Sequence, residues 1–245
     1  MSKYQKFIYA ADNHGWLYCK DALKKLLDFS NTWKPKFKVH GGDLWDFSAL
    51  RMGASQEDKA QGIAEDFTAG LDWLDEYSPR FLTLGNHDDR IWQQAQQRSD
   101  GVLREACEQL CQSAEREFKK RKIQWIPYHI DKFLRLPCGG PKFIHGFKSS
   151  MYPAKAHFEN WGDVIHGHTH KPDMYVARHV DGGKALSAGC MADLSQFSYS
   201  NRQPARLGHR NGFVYGIIDA KGNWEAWQVI RNETTGDWIS PHGLL

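Results

Sequence analysis

Short apolar runs alternate with stretches of helical spacing in the first part of the chain. The runs predict buried strands at 6–11, 37–40 and 80–84. Between them, apolar side chains recur at helical spacing over 20–29 and 58–77, which predicts two amphipathic helices. The first part of the chain therefore reads as alternating strands and helices.

The second half of the chain is rich in short apolar segments. A long polar helix over 89–122, broken near Ser99-Asp100-Gly101, precedes them. The candidate strands are 124–126, 133–136, 142–145, 163–166, 174–178, 185–188, 213–219 and 224–230. Early strand–helix alternation followed by many strands favours an α/β class, with helices packed on a β-sandwich. The segment from 195 to 212 has no periodicity and is expected to be a loop.

Composition is that of an ordinary globular protein. The chain has 245 residues, 41% of them hydrophobic and 25% charged, and we expect a single domain over 1–245. The formal net charge of +3 is too small to indicate nucleic acid by itself, and it does not exclude a local basic patch.

Cysteine usage and hydropathy bear on the compartment. Five cysteines, an odd number, match no common disulfide framework, so we expect reduced thiols. No apolar run approaches membrane-spanning length, and a strand follows the N-terminus almost at once, leaving no room for a targeting peptide. The expected location is cytoplasmic, with no membrane contact and no obligate protein partner evident.

Five short polar motifs carry the candidate chemistry. In order they are Asp12-Asn13-His14, Gly42-Asp43-x-x-Asp46, Gly85-Asn86-His87-Asp88, His145-Gly146 and Gly167-His168-Thr169-His170. Each falls just past an apolar strand, where loops from neighbouring strands can converge. Mixed imidazole and carboxylate ligands without thiolate suit Mn, Fe, Ni or Zn better than a magnesium-only oxygen cage.

The ordered set resembles the motifs of the calcineurin-like metallophosphoesterase superfamily, and the match extends from Asp12 to His170. The resemblance implies a four-layer fold, with two mixed β-sheets packed as a sandwich and flanked by helices. It also implies two divalent metal ions, Mn being the first expectation. The implied first site is Asp12, His14 and His170; the second is Asn86, His145 and His168; Asp43 bridges the two.

The family chemistry assigns roles around these ligands. A hydroxide bridging two metals attacks phosphorus, and His87 stabilises or protonates the leaving oxygen, with Asp46 orienting it. Asp88 is expected to cap the helix that starts near Asp89. Arg90 lies one turn from His87 and either reaches a substrate phosphate or is a solvated helix residue.

A second candidate feature is the segment from Ser195 to Asn211, which contains no acid. It combines the aromatic residues Phe197 and Tyr199 with basic residues that include Arg202 and Arg206. Interleaved aromatic and basic side chains can stack bases and hold phosphates. A solvated surface loop explains the same composition, so Arg90, Arg202 and Arg206 are candidate substrate contacts only.

Departures from the family motifs argue against one branch of the superfamily. Ser/Thr protein phosphatases of the superfamily carry G-D-x-V-D-R-G, whereas this chain continues from Asp46 with Phe47-Ser48. The preferred function is a phosphodiesterase or nuclease acting on nucleotides or nucleic acid. A phosphomonoesterase acting on a small phosphorylated metabolite or nucleotide is the alternative. A non-enzymatic interaction module is disfavoured, because all seven ligand positions and His87 are present.

Overall fold

The computed structural model describes residues 3–97, 100–178, 182–197, 208–241 and 243–244. Within these residues the helices are α1 (Lys20–Trp33), α2 (Gln56–Lys59), α3 (Ile63–Tyr77), α4 (Asp89–Gln96), α5 (Gly101–Lys120) and α6 (Pro153–Trp161). The strands are β1 (Tyr4–Ala10), β2 (Phe37–His40), β3 (Phe81–Thr83), β4 (Gln124–Ile126), β5 (Leu134–Leu136), β6 (Gly139–Phe143), β7 (Val164–His166), β8 (Pro172–Val176), β9 (Lys184–Ala188), β10 (Gly212–Asp219), β11 (Trp224–Arg231), β12 (Trp238–Ser240) and β13 (Gly243–Leu244).

The strands form two mixed sheets. The larger sheet has eight strands in the order β13-β12-β11-β10-β1-β2-β3-β4, and β1 to β4 run parallel to one another. The smaller sheet has five strands in the order β5-β6-β7-β9-β8, with β6, β7 and β9 parallel. The parallel strands of each sheet bring their carboxyl ends to one edge.

The two sheets face each other across an apolar core. Along β1, Phe7 and Tyr9 point into the layer between the sheets, whereas Ile8 and Ala10 point to the helices outside. Because both faces of β1 are covered, its side chains are apolar at successive positions rather than at alternate ones. The same inter-sheet layer contains Phe143 from the smaller sheet.

Helices cover the outer face of each sheet. Leu26 of α1, Trp73 of α3 and Phe118 of α5 belong to the core on the outer face of the larger sheet. Ala154 and Trp161 of α6 pack against the smaller sheet. The order helix, sheet, sheet, helix confirms the predicted four-layer α/β architecture.

The predicted strands all occur, with boundaries shifted by a few residues. The helix predicted over 58–77 is in fact two helices. A capping box between Ser55 and Asp58 starts α2, and α3 begins after its N-cap residue Gly62. Helix α6 was not predicted from the sequence, because the buried His157 interrupts its apolar spacing. Strands β12 and β13 were not predicted either, because they are too short to show a period. No helix among the described residues is long and apolar enough to span a bilayer.

Candidate metal centre

The first ligand cluster forms where β1 and β7 end. Asp12, His14 and His170 are buried, with 0%, 1% and 4% of their surface exposed. His14 Nε2 lies 3.1 Å from His170 Nε2, and His170 Nε2 lies 3.5 Å from Asp12 Oδ1. Residues from opposite ends of the motif set therefore meet at one point.

The second cluster forms where β3, β6 and β7 end. Asn86 Oδ1 lies 3.1 Å from His145 Nε2 and 2.9 Å from His168 Nδ1. An amide oxygen and two imidazole nitrogens thus converge, and the second predicted ligand set is brought together.

Asp43 lies between the two clusters. Its Oδ2 is 3.7 Å from His14 Nε2 on one side and 3.3 Å from His145 Nε2 on the other. Its Oδ1 accepts a hydrogen bond from the backbone N–H of His87, at 2.9 Å. One carboxylate therefore reaches both ligand sets, which is the position expected of a bridging ligand.

His87 lies beside the clusters with its ring held by Asp46. Asp46 Oδ1 accepts from His87 Nδ1 at 2.9 Å, and it also accepts from His14 Nδ1 at 2.9 Å. The bond to His87 is the one that the sequence predicted; the bond to His14 is an addition. Asp46 therefore orients a candidate ligand and the candidate acid at the same time.

Asp88 has a different place from the one expected. Its side chain makes no capping hydrogen bond on α4, and its own backbone is helical. Asp88 instead accepts hydrogen bonds from the backbone N–H groups of Trp45, at 2.9 Å, and Gly85, at 2.8 Å. The prediction of a cap was wrong, and Asp88 joins the loop after β2 to the loop after β3.

Asp66, on α3, is a site-supporting residue that the motif analysis did not single out. Its Oδ2 accepts from the backbone N–H groups of Asp46, at 3.0 Å, and Phe47, at 2.7 Å. Asp66 belongs to no ligand motif and lies 20 residues from Asp46 in the sequence, so only the fold reveals the contact. Burial, the largest influence, raises the pKa of Asp66 to about 6.

A histidine–asparagine pair supports the first motif. His40 Nε2 lies 2.7 Å from Asn13 Oδ1, and Asn13 Nδ2 donates to the backbone oxygen of Leu44 at 2.8 Å. His40 Nδ1 accepts from the backbone N–H of Gly42 at 3.2 Å. His40 is thus fully engaged behind the centre and is not a ligand candidate.

The charges of the centre depend on one another. Burial alone would raise the pKa of the Asp43 carboxyl, but His145 and His87 hold it well below its usual range. Burial opposes protonation of His145, yet Asp43 outweighs it and raises the pKa of His145 to about 9. The pKa of His87 is also raised, because Asp43 and Asp46 outweigh its burial. A metal ion that binds His145 must therefore displace the proton that this ring holds at neutral pH.

The donor set fits divalent metal ions. In each of the clusters, the imidazole and carboxylate donor atoms lie within 4.8 Å of one another. Because His14 Nδ1 donates to Asp46, Nε2 of His14 keeps its lone pair and faces Nε2 of His170 at 3.1 Å. The other ring nitrogens of His14 and His145 are also paired. His14 Nδ1 donates to Asp46, and His145 Nδ1 donates to the backbone oxygen of Gly41, both at 2.9 Å. Such partners fix the orientation of metal-binding imidazoles.

Five of the seven ligand candidates have left-handed backbone conformations. Their φ angles are 60° at Asp12, 53° at His14, 49° at Asp43, 69° at His168 and 55° at His170. Residues with a side chain adopt this region at a cost, and such strain is concentrated at functional sites. Tight turns at the strand ends are what bring these side chains together.

Of the candidate substrate contacts, Arg90 lies among the described residues. Arg90 donates through Nη1 to the backbone oxygen of Asp46 at 2.6 Å, so its guanidinium is engaged with the loop after β2. Arg202, Arg206 and Tyr199 lie outside the described residues. Phe197 is described: its ring centroid lies 5.1 Å from that of His14 and 5.6 Å from that of His170.

Comparison with known proteins places the fold. The sequence matches no protein-family model and no curated protein. Vacuolar Protein Sorting 29 from Cryptosporidium parvum is 13% identical, with 98% of this chain and 97% of that chain covered and a TM-score of 0.50. Vps29 from Chaetomium thermophilum is 12% identical, with 96% and 93% covered and a TM-score of 0.45. Yfce, a phosphoesterase from E. coli, is 15% identical, with 96% and 97% covered and a TM-score of 0.43.

At these identities the likeness concerns the fold and not the activity. The chain has two mixed sheets with flanking helices, and it aligns with the first of these structures over nearly its whole length. It therefore has the calcineurin-like metallophosphoesterase fold.

Proposed function

We propose that the protein is a dinuclear-metal-dependent phosphoesterase that prefers phosphodiesters of nucleotides or nucleic acid. The observation that carries the proposal is the position of Asp43, within 3.7 Å of His14 Nε2 and 3.3 Å of His145 Nε2. Beside it, His87 lines a cavity of about 410 Å³. Two cation sites, a shared carboxylate and a positioned acid are the parts that phosphate ester hydrolysis needs.

The first site would be formed by Asp12, His14 and His170, and the second by Asn86, His145 and His168, with Asp43 shared. When bound, two divalent ions supply an activated water and neutralise charge on the phosphoryl oxygens. Manganese suits the mixed imidazole and carboxylate set, and Fe, Zn or Ni would be accepted by the same donors.

His87 is proposed to donate a proton to the leaving oxygen. Asp46 accepts from Nδ1 of His87 at 2.9 Å, which leaves Nε2 of the ring as the atom available to the substrate. Asp43 and Asp46 raise the pKa of His87 against the effect of its burial, which favours the protonated ring that an acid requires. Because water is the nucleophile, no covalent phosphoenzyme forms.

The size of the cavity supports an ester with a substantial group on phosphorus. A volume of about 410 Å³ lies within the range of small-molecule sites, and its lining includes Met151 and Lys171 beside the ligands. A phosphomonoesterase would use the same catalytic side chains and remains the alternative.

Hydrolysis of bis-p-nitrophenyl phosphate beside p-nitrophenyl phosphate tests the proposal. The protein is stripped of metal, reloaded with Mn²⁺, and its metal content is measured by mass spectrometry. Two ions per chain and faster release of p-nitrophenol from the diester are expected. Preference for the monoester would favour the phosphatase alternative, and two bound metals with no turnover of either substrate would contradict hydrolysis of simple esters.

A further inference from the structure

Beyond the candidate ligands and His87, few described residues line the cavity in front of the metal centre. They belong to the loop after β6, to the segment that follows His168 and to the short stretch before β10: Ser149, Ser150 and Met151; Thr169 and Lys171; and His209. The part of a substrate that extends past the scissile phosphate therefore meets these side chains.

Lys171 is the only lysine or arginine among the described residues that line this cavity. Its side chain is half-buried, and it makes no ion pair with any described residue. A lysine that lines a cavity and has no carboxylate partner among the described residues can pair with an anion that enters the cavity.

The nearest carboxylate along the chain is committed elsewhere. Asp173 accepts from the backbone N–H of Ala154, at the start of α6, and from its neighbour Met174, at 3.0 Å and 2.9 Å. Asp12 and Asp43 belong to the ligand clusters. Lys171 thus faces the cavity without a carboxylate of the described chain to neutralise it.

We infer that Lys171, with the hydroxyl of Ser149, forms a subsite for a second phosphate group of the substrate. The inference rests on the proposed function, because it places the scissile phosphate at the two metal clusters. Neighbouring phosphates of a nucleotide are separated by one sugar, a spacing that a lysine next to a metal ligand can reach. The substrate class is a nucleotide diester that carries an additional phosphate.

A matched pair of substrates tests the subsite. Thymidine 5′-(p-nitrophenyl phosphate) and its 3′-phosphorylated form differ in one phosphate, and both release p-nitrophenol. We expect kcat/KM to be about tenfold higher for the 3′-phosphorylated substrate, the effect of one charge-assisted contact. In Lys171→Gln the ratio of the two kcat/KM values falls to about one.

Lys155→Gln provides the control. Lys155 is an exposed residue of α6 that pairs with Glu159 and does not line the cavity, so this variant keeps the tenfold ratio. A ratio of one in the unmodified protein would overturn the inference. So would an unchanged ratio in Lys171→Gln, including the case in which both substrates slow equally because Lys171 contacts the scissile phosphate itself.

A binding measurement separates this inference from the proposed function. Calorimetry on the Mn²⁺-loaded protein compares thymidine 3′,5′-bisphosphate with thymidine 5′-phosphate. Tighter binding of the bisphosphate, lost in Lys171→Gln and kept in Lys155→Gln, supports the subsite even if neither p-nitrophenyl ester is hydrolysed. Equal affinity for the two nucleotides contradicts the subsite even if the proposed hydrolysis occurs.

Discussion

At the scale of single residues, Asp46 contacts both a candidate metal ligand and the candidate acid. Its Oδ1 is 2.9 Å from Nδ1 of His14 and 2.9 Å from Nδ1 of His87. With their Nδ1 protons held there, both rings present Nε2 to the centre. Removing this carboxylate should therefore affect metal affinity and acid catalysis together.

Comparing Asp46→Ala with His87→Asn tests that link. His87→Asn is expected to keep both metal ions and to lower turnover of bis-p-nitrophenyl phosphate by roughly 10²–10⁴-fold, as for loss of a general acid. Asp46→Ala should lose turnover and also weaken metal affinity by roughly 10–100-fold, as for loss of a partner that orients a ligand. Metal content and Mn²⁺ calorimetry distinguish the two, and unimpaired metal affinity in Asp46→Ala would remove its role toward His14.

Asp66 should make stability depend on pH. Burial raises its pKa from 3.8 to about 6, so the folded state holds the proton more tightly than the unfolded chain. The resulting stabilisation is complete below pH 3.8 and is lost as the pH rises to about 6, a difference of about 3 kcal/mol. Asp66→Asn keeps an acceptor for the two backbone N–H groups and removes the titration.

Urea unfolding of the metal-free protein between pH 4 and pH 7 measures this effect. Across that range the unmodified protein should lose about 2 kcal/mol relative to Asp66→Asn. Because all other titrating groups are shared, their contributions cancel in the difference. Parallel pH profiles would show that Asp66 is not the titrating group.

Sequence motifs identify ligands better than the residues that support them. Asp12 and His170 belong to motifs that resemble those of the calcineurin-like metallophosphoesterases, and the resemblance implies the ligand sets, whose members the structure brings close together. The position of Asp88 before α4 predicts a helix cap, but its carboxylate accepts from backbone N–H groups of two loops instead. Asp66 has no motif, and its role depends on α3 packing beside the loop after β2, which pattern analysis does not provide.

At the scale of elements, α3 approaches the loop after β2 through a glycine. A Cβ at Gly70 would lie 2.2 Å from Nε1 of Trp45, a fully buried ring that also stacks on Phe67 at 5.0 Å between centroids. The indole donates to the backbone oxygen of Phe67 at 3.0 Å. Trp45 lies between Asp43 and Asp46, so the fit of α3 against this ring helps to place both carboxylates.

Gly70→Ala should therefore destabilise the protein although alanine favours helices. The gain in helix propensity is about 1 kcal/mol, whereas forcing a methyl group into a packed ring costs about 1–3 kcal/mol and displaces the loop. We expect a net loss of up to about 2 kcal/mol in urea unfolding together with weaker Mn²⁺ binding. Gly101→Ala is the control, since a Cβ at Gly101 meets nothing within 4 Å. A gain in stability in Gly70→Ala would mean that α3 can shift freely.

Most elements were predictable because their apolar patterns are long enough to show a period. The failures have local causes. In α6, buried His157 occupies a position where the pattern requires an apolar residue; its ring accepts the backbone N–H of Phe147 at 3.0 Å. In 58–77, the chain breaks at Gly62 after a capping box that competes with a continuous helix.

At the scale of the whole molecule, metal uptake should stabilise the fold. The clusters join loops from both sheets, and ions that bind only the folded state add stability by mass action, about 2.7 kcal/mol at one hundred times Kd. The melting temperature of the metal-free protein should rise with Mn²⁺ and rise less with Mg²⁺, which prefers oxygen ligands. Asp43→Asn should abolish most of the rise. Equal melting temperatures with and without Mn²⁺ would contradict a metal centre that links the two sheets.

The left-handed conformations at the ligands have a consequence for laboratory evolution. Each such position destabilises the folded state by about 1–3 kcal/mol. The residues concerned are candidate metal ligands, which the protein does not need in order to fold. A library of variants screened for heat resistance alone should therefore accumulate glycine or asparagine at His14, His168 and His170, where those residues relax the backbone. Variants stabilised in that way would have lost candidate metal ligands. A useful screen should therefore select for turnover and for thermal stability in the same round.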